Sequence, residues 1–187
     1  EKINIYCSKD TADWIKRYFN HIPLNLIVIN PFETIKLNGV KVTAIPVKHM
    51  SNVDSTKNEE ELCNTFAFLL EKNNKKVVYL ADYYSIPEKS RKFIEKCDLL
   101  IADGTYLFEE KFPNLSLQNN EKNDPDHIHG DEILRFVNSL NAKKVLFHSI
   151  SHLSNMNHEE MTSHLQENHL LSYDGISFDF LIEVNEK

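Results

Sequence analysis

The apolar pattern changes character partway along the chain, and this limits the available folds more than any other feature. Ile3–Tyr6 reads as a short strand, and Thr11–His21 carries Trp14, Ile15, Tyr18 and Phe19 at helical spacing. Asn25–Ile29, Thr34–Leu37, Val40–Val47, Thr65–Glu71 and Val77–Ala81 then read as strands, with turns at Asn38-Gly39 and Asn73-Asn74. From Pro87 onward strand and helix alternate. Helices are predicted over Pro87–Lys96, Asp131–Leu140 and Glu159–Glu167, and strands over Leu99–Ala102, Lys144–Phe147 and Ser177–Glu183. A mostly antiparallel first half followed by such alternation predicts a mixed sheet covered by helices, an α/β (α+β) fold.

The 187 residues show no repeat or interdomain linker, so a single domain over 1–187 is expected. Ser51–Glu61 reads as a polar loop, and Phe108–Asp126 as an irregular lid or insertion. The start at Glu1, already leading into a strand, suggests a processed or truncated product. A net charge of −7 makes the chain a poor candidate for gripping an extended nucleic acid. A small phosphate ester stays compatible where a metal supplies the positive charge. No apolar run approaches the roughly 20 residues that span a bilayer. Cys7, Cys63 and Cys97 are odd in number and lack CxxC spacing, which predicts a reducing, cytoplasmic setting without a disulfide framework.

Polar residues able to bind metal follow the buried strands. His49 comes after Val42–Val47, Asp82 after Val77–Ala81, Asp103 after Leu99–Ala102, and His148 after Val145–Phe147. His127 and His129 stand just before a helix. A strand end presents a side chain from a rigid edge, and imidazole with carboxylate suits zinc, manganese or iron. Any one of these residues on its own reads more simply as a hydrogen-bonded histidine or a turn-forming aspartate. Repetition of the placement is what points to a site. His158, His164 and His169 read as solvated helix or loop residues, and Tyr83 and Tyr84 read equally well as pocket lining or core.

The succession of these segments resembles the metallo-β-lactamase superfamily, and within it the phosphoribosyl cyclic phosphate phosphodiesterases of the carbon–phosphorus lyase pathway. The resemblance runs through "TAIPVKH" (Thr43–His49), "NTFAFLLE" (Asn64–Glu71), "VVYLADYYSIPEKS" (Val77–Ser90) and "CDLLIADGTY" (Cys97–Tyr106). It continues through "DHIHGDEILRFVNSLNAKKVLFHSISH" (Asp126–His152) and "SYDGISF" (Ser172–Phe178). The Asp-Gly-Thr of the fourth segment is also similar to the relative serving pyrroloquinoline quinone biosynthesis. The resemblance implies an αββα sandwich, incomplete at its N-terminus, and two divalent metal ions, zinc or manganese, with iron a further candidate. It implies that His49 ligates one metal, that Asp82 bridges the two, and that His148 ligates the second, with His152 the alternative under a one-residue slip. His127 is implied as the general acid that protonates the leaving oxygen, with His129 its rival. Asp103 is read as structural, or as a partner that orients an imidazole. The implied reaction is hydrolysis of a small, cyclic phosphodiester by a metal-bound hydroxide, in a cytoplasmic protein, with a homodimer as a further expectation.

One departure is large. The family's leading His-x-His-x-Asp-His signature is absent, and its place lies upstream of the region that "KINIYCS" resembles. The chain is therefore expected to be the C-terminal two-thirds of such a domain, with weak metal binding and incomplete activity alone. Two other readings stay open. One is different chemistry on the same scaffold, such as an oxidation in cofactor biosynthesis or thioester hydrolysis. The other is a non-catalytic domain without metals.

Overall fold

The structure, a computed structural model, describes residues 2–49, 65–108, 128–151 and 156–179. The polar loop 51–61, nearly all of the irregular segment 108–126, His127 and His152 lie outside the described residues.

Strand β1 (Ile3–Cys7) is followed by helix α1 (Lys9–Tyr18) and strand β2 (Leu24–Val28). Ser8 starts α1 because its Oγ accepts the Thr11 N–H at 3.2 Å, satisfying a donor that the first helical turn leaves open. β1 and β2 pair in parallel as a two-stranded sheet of their own. This corrects the expected antiparallel start: α1 is a crossover connection, and a helical crossover permits parallel pairing.

The larger sheet holds seven strands in sequence order: β3 (Thr34–Leu37), β4 (Val40–Val47), β5 (Thr65–Lys72), β6 (Lys75–Leu80), β7 (Leu99–Asp103), β8 (Lys144–His148) and β9 (His169–Leu171). β3 to β6 pair antiparallel and β6 to β9 pair parallel. The β5–β6 hairpin turns on Asn73 and Asn74 at φ 49° and 57°. Asparagine tolerates this left-handed region, and two such residues match the twist of the flanking strands. Helices α2 (Glu88–Ile94), α3 (Gly130–Ser139) and α4 (His158–Ser163) occupy the crossovers. Asn157 caps α4 through a reciprocal capping box with Glu160.

Alternation along the strands sends Ile45, Leu69, Val78, Leu80, Leu100 and Phe147 to one face. There they form one core with Ile94 of α2, Ile133 and Val137 of α3, and Met161 of α4. The register partners Tyr79, Ile101 and Leu146 take the opposite face, and Asp103 and His148 follow them one pair further along. The expected last strand over Ser177–Glu183 is not formed by residues 177–179, and the remainder lies outside the described residues. β9 closes the described sheet instead.

Candidate functional site

β4, β6, β7 and β8 all run in one direction, because β5 is antiparallel to both β4 and β6 and the later pairs are parallel. Their C-terminal ends therefore lie along one edge of the sheet, the usual place for a site in sheets of this construction. His49, Asp82, Asp103 and His148 all fall at that edge.

Asp103 and His148 are register partners at the ends of β7 and β8. Asp103 is 6% exposed, and its Oδ1 accepts the Thr105 N–H at 3.0 Å and the Thr105 hydroxyl at 2.7 Å. Burial pushes the His148 imidazole below the usual histidine range, against the opposing pull of the Asp103 and Asp82 carboxylates. The ring lies stacked on Tyr79 with centroids 5.3 Å apart and 21° between planes. Its Nδ1 is 2.7 Å from the Ser149 hydroxyl. Its Nε2 is buried and has no hydrogen-bond partner among the described residues. The next residue, Ser149, sits at φ 57°, so the chain leaves the strand sharply after the histidine.

The backbone here is packed tightly. Gly104 N–H donates to the His148 carbonyl at 2.8 Å. A Cβ at Gly104 would stand 2.5 Å from Ile150 Cδ1 and 3.1 Å from both the His148 oxygen and Phe147 Cβ. Only glycine leaves room for the ends of β7 and β8 to meet this closely.

Asp82 also has a left-handed backbone, at φ 42°, and is exposed. The loop that carries it folds back on β4. Lys48 N–H donates to Ser85 O at 3.0 Å, and Tyr84 N–H donates to Lys48 O at 2.7 Å. His49 therefore leaves β4 beside the Asp82 loop, although β5 separates β4 from β6 by about 10 Å. The pair Tyr83–Tyr84 divides: Tyr84 is 40% exposed, whereas Tyr83 is core at 1% and packs its ring on Phe136 of α3. The Tyr83 hydroxyl has no partner among the described residues, and burial first, then the charge of Asp103, hold the phenol well above its usual range.

His129 caps α3 by position, with φ −127° and ψ 146°, but its side chain makes no capping bond. The imidazole is half-buried and stacks on Tyr106, with centroids 4.4 Å apart and 25° between planes.

The structure thus sets Asp82 and His148 within electrostatic reach of one another and brings the end of β4, with His49, against the Asp82 loop. His129 is bound to the segment after β7. His127 and the alternative ligand His152 lie outside the described residues. The donor types fit a divalent cation: an imidazole whose Nε2 is buried and unpartnered among the described residues, and a carboxylate within electrostatic reach of it. Among the described residues, no three His, Cys, Asp or Glu side chains close into a group able to hold a metal ion. Cys97 is buried, and burial pushes its thiol up to about 11, which makes it a core residue and no nucleophile. His169, expected to be solvated, is 2% exposed in β9, edge-on to Phe147. Its place in β9, paired with β8, buries it, and a three-residue strand is too short to show a period of two in the sequence. Two clefts of about 320 and 380 Å³ lie at the other end of the sheet, around the β5–β6 hairpin.

The sequence signature described as "Beta-lactamase superfamily domain" matches residues 1–150. Among curated proteins, none matches. The fold is similar to that of a diphosphatase of the PhnP family, with a TM-score of 0.70 at 23% identity over 94% of this chain and 57% of the other. It is similar to zinc-bound PqqB from Methylobacterium extorquens, with a TM-score of 0.74 at 17% identity over 96% of this chain and 65% of the other. It is also similar to the short form of human tRNase Z, with a TM-score of 0.58 at 14% identity over 97% and 68%. The chain spans 57% and 65% of the first two structures. With the signature covering residues 1–150 of 187, the chain belongs to the beta-lactamase superfamily domain family.

Proposed function

We propose that this chain contributes to a metal-dependent hydrolase acting on a small phosphodiester, cyclic diesters included. The observation that carries the reading is His148: a half-buried imidazole whose Nε2 is itself buried and unpartnered among the described residues, within electrostatic reach of Asp82 at the C-terminal edge of the sheet. An orphaned buried nitrogen is costly, and a metal ion is one partner that would satisfy it.

In this reading His148 and Asp82 hold metal, and His49 contributes from the end of β4. Bound divalent ions supply Lewis acidity and water ionised near neutral pH. Asp103, the register partner of His148, is held by Thr105, and its charge acts on the imidazole and would strengthen it as a ligand. The general acid in this reading is His127 or His129; in support of His129, its ring is stacked on Tyr106 and it stands at the start of α3, in the crossover that follows β7. Its task would be to give a proton from Nδ1 or Nε2 to the departing alkoxide oxygen. A charge of −7 favours a small diester over a long polyanion. The diphosphatase and tRNase Z likenesses support phosphoester chemistry as the first choice. Two metals of zinc or manganese type, and a reducing cytoplasmic setting, belong to the same proposal.

The test is hydrolysis of bis(p-nitrophenyl) phosphate and of 2′,3′-cyclic AMP, against a thioester control, with zinc or manganese added. Metal-dependent turnover of the diesters alone supports the reading. Thioester turnover alone refutes the phosphodiester assignment, and metal-independent turnover refutes the metal.

A further inference from the structure

Two aromatic–imidazole stacks flank the candidate site. One, Tyr79 on His148, lies within the sheet. The other joins two segments that are distant in sequence and meet at the edge: Tyr106, in the turn after β7, and His129, ahead of α3. Their centroids are 4.4 Å apart with 25° between planes. The same tyrosine makes a second tie, because its carbonyl accepts the Gly130 N–H at 3.0 Å. Gly130 sits at φ 49°, a conformation that glycine takes without strain, and among the described residues beyond its chain neighbours and its own helix backbone nothing lies within 4 Å of where its Cβ would be. The first residue of α3 is thus anchored through its backbone while the residue before it is gripped through its ring. His129 occupies the helix-capping position yet does not spend its side chain on capping. Tyr106 in turn is seated against the core, as is Ile128 on the other side of His129.

We propose that Tyr106 is a positioning residue for His129: its ring and its carbonyl together fix where the His129 imidazole stands at the C-terminal edge of the sheet. The role rests on His129 acting in the site proposed above. Stacking uses the ring and not the hydroxyl, so phenylalanine should serve as well as tyrosine. Leucine keeps apolar volume against the core but removes the aromatic face, and the Gly130 tie survives in both variants because it uses the backbone.

The test reads His129 directly, without turnover. In the 187-residue chain, the His129 imidazole Hε1 resonance is assigned by its loss in His129→Gln. A proton stacked on an aromatic ring is displaced by the ring current. Tyr106→Phe is expected to leave that displaced resonance in place, and Tyr106→Leu to move it to the position of an unstacked histidine. An unmoved resonance in a folded Tyr106→Leu protein overturns the proposal, as does a shift in Tyr106→Phe as large as in the leucine variant. Where diester turnover is observed, Tyr106→Leu should lower kcat on 2′,3′-cyclic AMP about 10-fold, part of what a general acid contributes. Turnover of bis(p-nitrophenyl) phosphate, whose leaving group departs without a proton, should be spared. Equal loss on both substrates overturns the positioning role. Metal-dependent turnover of a thioester alone, with the resonance behaving as expected, refutes the phosphodiester reading and leaves the stack intact.

Discussion

Asp103 and His148 face each other as register partners at the ends of two parallel strands, and the Gly104 N–H donates 2.8 Å to the His148 carbonyl immediately beyond them. The carboxylate, the imidazole and the backbone that carries them are therefore one packed unit. This unit can be perturbed from a glycine that belongs to neither functional group.

Gly104→Ala tests that packing. The added Cβ would lie 2.5 Å from Ile150 Cδ1 and 3.1 Å from the His148 oxygen. The Ile150 terminus can rotate aside, but the backbone oxygen cannot. Overpacking of this kind costs about 1–3 kcal/mol. Chemical denaturation should show a lower midpoint with an unchanged slope. Ile150→Val, which removes the Cδ1 atom, should recover part of the loss in the double variant. Full stability of Gly104→Ala alone would show that the two strand ends are looser than described.

Ser90→Ala tests how β4 is held where it delivers His49. The Ser90 hydroxyl, fully buried on α2, donates to the Pro46 carbonyl at 2.6 Å. Removing it leaves that carbonyl without this donor, at about 1–3 kcal/mol. Thermal unfolding should move to lower temperature, and Ser90→Thr, which keeps the hydroxyl, should be milder than Ser90→Ala in its hydrogen-bond loss.

His169 and His148 should make the chain acid-sensitive. Burial lowers both imidazoles below the ordinary histidine value of 6.5. A group whose folded pKa is depressed binds more protons when unfolded. Its contribution is thus fully present above pH 6.5 and is lost as pH falls below 6.5 through the folded value. His169 has both ring nitrogens buried without a partner among the described residues, so an apolar side chain should be better tolerated there. His169→Leu should raise the melting temperature at pH 5 more than at pH 8. An equal change at both pH values would remove His169 as a source of acid sensitivity.

Much of the sheet is legible in the sequence because its strands obey simple rules. Val40–Val47, Thr65–Lys72 and Lys75–Leu80 carry β-branched and aromatic residues between asparagine turns, and the turns supply the left-handed backbone that tight hairpins need. Within β7 and β8, Leu99–Ala102 and Val145–Phe147 are continuous apolar runs, as strands covered on both faces are. Strand direction is not encoded in this way: Ile3–Cys7 and Leu24–Val28 look the same whether they pair in parallel or not. β9 is missed because three residues cannot display a period. The strand-end placement of His49, Asp82, Asp103 and His148 is visible in the sequence. The contacts that distinguish them are not, since Gly104 at His148, Tyr79 under the imidazole and Tyr106 under His129 each depend on strands or loops distant in the chain.

Zinc binding at His148 and Asp82 can be measured by equilibrium dialysis of the 187-residue chain and its variants. The wild-type chain should take up zinc, weakly because among the described residues no three His, Cys, Asp or Glu side chains close into a group able to hold it. His148→Ala and Asp82→Asn should each abolish the uptake, while His129→Gln should retain it. Undiminished zinc uptake by both the His148→Ala and the Asp82→Asn proteins would contradict the assignment of a metal centre at this edge of the sheet.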